Sequence, residues 1–296
     1  MDAGVKIECP KCGWEPDGYP HWICSCGCKW NTFDTKGKCP DCGKQWNDTH
    51  CPRCSHPSEH DTWYHLIAET EQLIEEDQIE LRRRKKIIET KLSDYGLKNQ
   101  KISYLPYLVL QEEGFQTLHE VGCRILVLWA ISYVASRLDE REEIASWLKR
   151  TKLWDKVTEP ERKLFTDDLP QNVLISFSWR IEAVIVLCWA VNLLAHLPNL
   201  YEEMPEEELD DLMVKLPIGE DPQLFLNSLT YRDKEEIFIE NITNEMITWY
   251  LRDRMLSGRE EKLKINPAVS FERHFALNWV RKFSEISEWD ETDTST

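Results

Sequence analysis

From residue 61 onward the chain follows the helical period: apolar residues recur every three or four positions and glycine nearly disappears. The longest such segment, 62–95, carries Leu66/Ile67, Leu73/Ile74, Leu81, Ile87/Ile88 and Tyr95, a seam that repeats close to every seven residues. Carboxylates (Glu69, Glu71, Glu75, Glu76 and Asp77) crowd its first half and the run "RRRKK" (82–86) its second. That order suits a helix dipole, and Glu80 can pair with Arg84 one turn on, so the basic run reads as a solvated helix face. The pattern predicts a linking helix over 62–98, roughly 45 Å long if about 30 residues are helical. A half-buried seam of that length packs against a partner or, as a homodimer, against a second copy. Further on, Thr117-x-x-Glu120 starts a helix reaching about Arg137, and Thr158-x-x-Glu161 starts a short one with Pro160 in its first turn. The segment 171–197 is apolar on nearly all sides and is expected to be the central, most buried helix. Asp221-Pro222 opens another helical stretch, and 233–257 and 267–283 follow. No alternating run between turn signals supports a sheet here. The fold class is mainly α: an irregular helical bundle over 99–296, behind a small module at 1–61.

That module has no helical period. Its order is Cys9-x2-Cys12, eleven residues, Cys24-x-Cys26-x-Cys28, ten residues, Cys39-x2-Cys42, eight residues, Cys51-x2-Cys54. A Cys-x2-Cys pair presents both sulfurs to one ion, and Gly13, Gly27 and Gly43 let the chain turn away after the second thiol. Two pairs about ten residues apart make a closed all-thiolate site on short hairpins, so the spacing predicts a double zinc ribbon with two structural Zn²⁺. Sequential pairing assigns Cys9, Cys12, Cys24 and Cys26 to one ion and Cys39, Cys42, Cys51 and Cys54 to the other. Cross-bracing, first pair with third, is the alternative, and Cys28 could replace Cys24 or Cys26. A redox motif would need a helix N-terminus to acidify one thiol, which these Pro- and Gly-rich pairs lack. "HPSEH" (56–60) matches an inverted zinc-protease string, but Pro57 obstructs the helix that would align both histidines, so loop residues exposed to solvent are expected. Trp14, Trp22, Trp30 and Trp46 are the expected apolar filling.

Charge narrows the function. Of a net −17, residues 1–60 contribute −1 and residues 61–296 contribute −16. Thiolate ligation makes the ribbons more negative still, the wrong sign for a phosphate backbone, so nucleic acid is excluded as a partner. The opening "MDAGVKIECPKC" has no signal-peptide pattern, and the longest apolar runs (125–135 and 183–191) fall short of the ~20 residues that span a bilayer. The expectation is a cytoplasmic protein, without membrane contact, whose thiols meet metal rather than each other.

Polar residues on the apolar helices are the other candidate chemistry: Arg180 and Glu182, then Glu272, Arg273, His274 and Asn278. As structure, these charges pair across helices, Glu272 with Arg180 and His274 or Arg273 with Glu182. As catalysis, His274 with Glu182 or Glu272 would be an acid/base pair, with Arg180 beside it. Cys123 and Cys188 read as core. The strings "KLWDKVTEPERKLF", "FSWRIEAVIVLCWAV", "ERHFALNWV" and "WDETDT" resemble the bacterial domain of unknown function 4272 over roughly residues 116–294. The cysteine block is similar to zinc ribbons found ahead of some bacterial domains. The resemblance implies an all-α domain in a bacterial cytosol and names no reaction. Together these readings favour a zinc-binding, non-catalytic protein that recognises another, basic protein, as an adaptor or as an inhibitor or immunity partner covering a toxin's basic site. The alternative is an enzyme using Arg180, Glu182 and His274.

Binding to random duplex or single-stranded DNA at ~150 mM salt is therefore expected to be undetectable at micromolar protein, and sub-micromolar binding would overturn the electrostatic reading.

Overall fold

The computed structural model describes residues 5–66, 76–98, 100–110, 114–258 and 263–294. They form two compact units, one from residues 1–89 and 100–109 and one from 90–99 and 110–296.

The described residues of the first unit form three two-stranded antiparallel ribbons. β1 (Val5–Ile7) pairs with β6 (Tyr64–Leu66), β2 (Trp22–Ile23) with β3 (Lys29–Trp30), and β4 (Asp48–His50) with β5 (Pro57–Glu59). A single bridge, Lys38 with Gln45, makes a fourth, shorter hairpin. Strands this short cannot bury much, so aromatic rings fill the centre. Phe33 packs at 5.0 Å on Trp63 and at 5.3 Å on Trp22, and Trp14 meets Trp22 and Trp63 edge-on at 6.3 Å. Trp30 and Trp46 line a second small cluster with Cys24 and Cys39. Trp63, the largest fully buried side chain, falls inside the segment that the seam assigned to a helix.

That assignment fails at its start. His60–Trp63 is a 3-10 turn, Tyr64–Leu66 is β6, and the described helix α1 is Glu76–Asp94. The strand forms because its hydrogen-bonding partner, β1, lies far back in the chain, where no local period can reveal it. Residues 67–75, with Ile67, Leu73, Ile74 and most of the acidic half of the seam, lie outside the described residues, and with them much of the seam on which the homodimer expectation rests. Within α1, Glu80 takes Arg83 at 2.6 Å in preference to Arg84 at 3.7 Å.

Every regular element in the described residues of the second unit is a helix. α2 (Leu118–Ser136) is capped by Thr117, whose hydroxyl accepts the Glu120 amide, and it is buried on almost every side. α3 (Arg141–Arg150) and α4 (Glu159–Thr166) follow, the latter opened by a reciprocal box in which the Thr158 amide donates to the Glu161 carboxylate. The predicted helix 171–197 is instead α5 (Gln171–Ser178) and α6 (Arg180–Ala190), broken at Trp179 and ended before Asn192, which has φ +63°. Ile175 on α5 is half exposed, so α2 rather than this segment is the helix buried all round. α7 (Glu206–Met213), α8 (Gln223–Ser228), α9 (Lys234–Leu256) and α10 (Pro267–Val280) complete the unit. α2 packs on α5 and α6, α6 on α10, and α10 on α9. Two stretches, Leu118–Ser136 and Gln171–Ala190, are long and apolar enough to cross a bilayer, which the short uninterrupted runs did not suggest. In the fold, 72% and 56% of them is buried, as in core helices.

The core also contains a matched charge. Arg124 on α2 donates to Glu161 at 2.9 Å and to the Lys156 carbonyl at 2.7 Å, all but sealed from solvent. Glu161→Ala removes this pairing and half of the α4 cap, and is expected to cost about 3–5 kcal/mol. Thr117→Ala, which removes only a cap, should cost about 1 kcal/mol. Urea unfolding compares the two, and a Glu161→Ala loss no larger than that of Thr117→Ala would show that the buried pair is not structural.

Candidate metal centres

One kind of backbone turn recurs four times, one residue shorter at Cys24 than at the other three. The amides of Cys9, Cys24, Cys39 and Cys51 donate to the carbonyls of Trp14, Cys28, Lys44 and His56 at 2.8–3.1 Å. The carbonyls of the same cysteines accept from Gly13, Gly27, Gly43 and Ser55 at 2.9–3.0 Å. Closing the turn requires a left-handed residue at the fourth corner, with φ of +67°, +91°, +71° and +55°. Glycine supplies this without strain at three of them, and Ser55 accepts it with a side chain.

These turns gather the eight thiols into two groups, Cys9, Cys12, Cys51 and Cys54, and Cys24, Cys26, Cys39 and Cys42, each with all sulfurs within 4.8 Å of one another. The pairing is nested: outer with outer, inner with inner. Neither the sequential nor the cross-braced arrangement holds. The reason is the β1–β6 ribbon, which draws the two ends of the module together and delivers the first turn to the fourth, leaving the two middle turns to face each other. Cys28 belongs to neither group and replaces neither Cys24 nor Cys26. It packs beside Cys24 and Cys39, and burial, with Asp41 nearby, pushes its thiol up to about 11.

The sulfur spacing is that of a tetrahedral ion. Sγ–Sγ is 3.8 Å for Cys9–Cys54 and 3.6 Å for Cys12–Cys51, Cys24–Cys42 and Cys26–Cys39. Four thiolates at a Zn–S length of ~2.3 Å stand about 3.8 Å apart. The thiols also behave as a set that needs a cation. The Cys26 amide, with the Trp46 indole, draws Cys24 down to about 6. Cys26 itself, although the Cys28 amide favours its thiolate, is pushed up to about 12 by burial and by its sulfur neighbours. Burial raises Cys51 to about 12 as well, while the His56 amide, against burial, helps lower Cys54. Within each group neighbouring sulfurs are thus driven in opposite directions, Cys24 and Cys54 down, Cys26 and Cys51 up. A divalent ion removes that conflict, and an all-sulfur, four-coordinate donor set suits Zn²⁺ and leaves no open position for catalysis.

"HPSEH" is not a metal motif. Its middle is strand β5, so the two histidines share no helical face. His60, expected in a solvent-exposed loop, is buried: its ring stacks on Phe33 at 5.2 Å and bonds Thr49 at 2.7 Å and Tyr64 at 2.9 Å.

In the helical unit, the candidate catalytic residues are distributed along one face-to-face contact between α6 and α10. Arg180 donates to Glu272 at 3.0 Å, and Arg273 donates to Glu182 at 3.0 Å and to the Pro198 carbonyl at 2.7 Å. His274 turns away from both carboxylates to Asn278, whose amide nitrogen is 3.0 Å from Nε2 and also donates to the Asp293 carbonyl. Burial, with Arg252 and Arg281 adding, holds His274 down to about 4, while burial raises Glu182 and Glu272. Glu182 and His274 are both 0% exposed. Beyond these, α9 contributes buried polar groups that the sequence reading passed over. Asn241 donates to Asn278, Asn244 donates to Glu240, and Lys91 reaches Glu240 at 2.9 Å. The available signal was Asn241 and Asn244 recurring within one otherwise apolar helical period.

The model of a family described as a domain of unknown function, DUF4272, matches residues 83–292. No curated protein and no solved structure matches the chain.

Nested pairing has a direct consequence for metal content. Cys9→Ser/Cys51→Ser disables one site and should leave about one zinc per chain by elemental analysis, whereas Cys9→Ser/Cys24→Ser touches both sites and should leave close to none. Sequential pairing requires the opposite ranking, so the two double variants decide between them.

Proposed function

The chain belongs to the DUF4272 family, and on that footing we propose that it is a zinc-stabilised, non-catalytic interaction protein whose acidic surface docks a basic protein. The observation that carries the reading is the pair of closed cysteine groups at tetrahedral spacing, because closed zinc sites hold small modules together rather than activate water. The setting that suits such thiols is a reducing bacterial cytoplasm. The buried state of Glu182 and His274, and their different partners, favour binding over an enzyme built on them.

The acidic surface has a definite focus. Between 202 and 211 there are seven carboxylates and no basic residue. All seven are exposed, while Met204 and Leu212 are buried and fix α7 against the body. Val214, directly beyond α7, and Trp249, Met255 and Leu256 on the last turns of α9 are also exposed, and apolar anchors within polar surroundings are what a protein partner uses. A basic partner meeting such a surface gains in rate and in register, as a toxin does with its inhibitor.

Capture from lysate of the source cell on immobilised full-length protein, read by mass spectrometry, tests this. A basic protein should be retained at ~50 mM salt and released at ~500 mM. Glu202→Lys/Glu207→Lys/Asp211→Lys, with an unchanged melting temperature, should reduce its capture about tenfold or more. The same protein captured equally by the charge-reversed chain would refute the acidic surface as the docking face.

A further inference from the structure

Residues 286–294 lie on the helical body as a peptide ligand would. Their one regular element is the single 3-10 turn Trp289–Glu291, and they are fixed by side chains of the body that donate to tail carbonyls. Gln116 and Trp279 both donate to Ser287 at 2.9 Å, Asn278 to Asp293 at 2.8 Å, and Arg252 to Thr294 at 2.9 Å. Trp289 is the anchor. It is 3% exposed, edge-on to Phe275 at 4.8 Å and to Trp279 at 5.4 Å. The guanidinium groups of Arg124 and Arg180 lie over its ring at 4.9 and 5.9 Å. Main-chain hydrogen bonds, one deeply buried indole and cation–π contacts are the means by which surfaces hold extended peptides. None of them requires the tail to come from the same chain.

The link between α10 and this tail is strained. Lys282, Ser284 and Glu285 have φ of +47°, +58° and +63°. A side chain in the left-handed region costs free energy that only the surrounding structure can offset, and three such residues within four positions concentrate that cost at one hinge. Docking the tail on a different body would keep every tail contact and let the hinge extend. A second copy of the chain carries both the matching tail and the matching surface. We propose that the surface beneath residues 286–294 is a docking site for the same segment of a second copy, so that two chains exchange tails and form a dimer. Exchange requires Trp289 to leave its site first, so the dimer forms slowly and favours high concentration.

Size-exclusion chromatography with light scattering on the full, zinc-loaded chain tests the proposal. Concentrated wild-type protein should yield a dimer fraction that persists on dilution. Removing Ser284 and Glu285 leaves too little chain to fold back and should raise that fraction about tenfold, while Ser284→Gly/Glu285→Gly, which relaxes the closed hinge, should lower it about tenfold. Trp289→Ala should abolish the dimer in each background. The proposal is overturned by a wild-type chain that stays monomeric at every concentration, by a dimer fraction indifferent to the glycine pair, or by a dimer that survives Trp289→Ala. The glycine pair keeps the test decisive if the shortened chain does not fold.

Discussion

Charge taken out of water must be matched where it comes to rest, and both units of this protein are arranged around that requirement. In the first, four sulfurs within 4.8 Å of one another cannot all ionise without a cation among them. Turns, hairpins and aromatic filling exist to hold the sulfurs at that separation. In the second, Glu161, Glu182 and Glu272 are buried, and each is met by an arginine from another element. Those ion pairs fix the register of α2 against α4 and of α6 against α10 more narrowly than apolar packing does, since a slip by one residue would strand a charge. Replacing such pairs by apolar residues could raise stability, so what they contribute is a unique arrangement rather than a larger total.

What could be read from the residues follows from how local each cause is. The cysteine turns were legible because everything they need lies within six residues: two thiols, the residue with positive φ after them, and the amides between. The capped helix starts at Thr117 and Thr158 were legible for the same reason. The pairing of the turns was not, because it is decided by Val5–Ile7 meeting Tyr64–Leu66, an interaction with no trace in spacing. The seam from 62 misled for a related cause: Leu66 fits a heptad and a strand equally well, and only the distant partner chooses. In the helical unit, the need of Arg180 and Glu182 for partners on another helix followed from burial alone. Glu272 for Arg180 followed from sign as well, whereas the choice of Arg273 over His274 for Glu182 depended on how α10 is rotated, which turns His274 to Asn278.

The same distinction separates the polar groups that can act from those that cannot. Burial, with Arg252 and Arg281 adding, holds His274 down to about 4, and its ring meets Asn278, which in turn donates to the Asp293 carbonyl of the tail. Glu182 is paired with an arginine that is itself fully buried. Chemistry needs a group in contact with something that arrives from solvent, and both of these are 0% exposed. The exposed groups are elsewhere: the carboxylates of 202–211 and Trp249, Met255 and Leu256 of α9.

The two ways of matching charge make the units answer to different conditions. Arginines travel with the chain, so the helical unit carries its own compensation and keeps it whenever it folds. The cysteine module has no such partner within the chain: its two groups could hold metal ions, and an ion held there would tie its fold to the supply of that ion and to thiols that stay reduced. A chelator or an oxidant would therefore act on the ribbons and leave the ion pairs of α6 and α10 in place. The two units thus answer to different conditions because one carries its countercharges in its own sequence and the other does not.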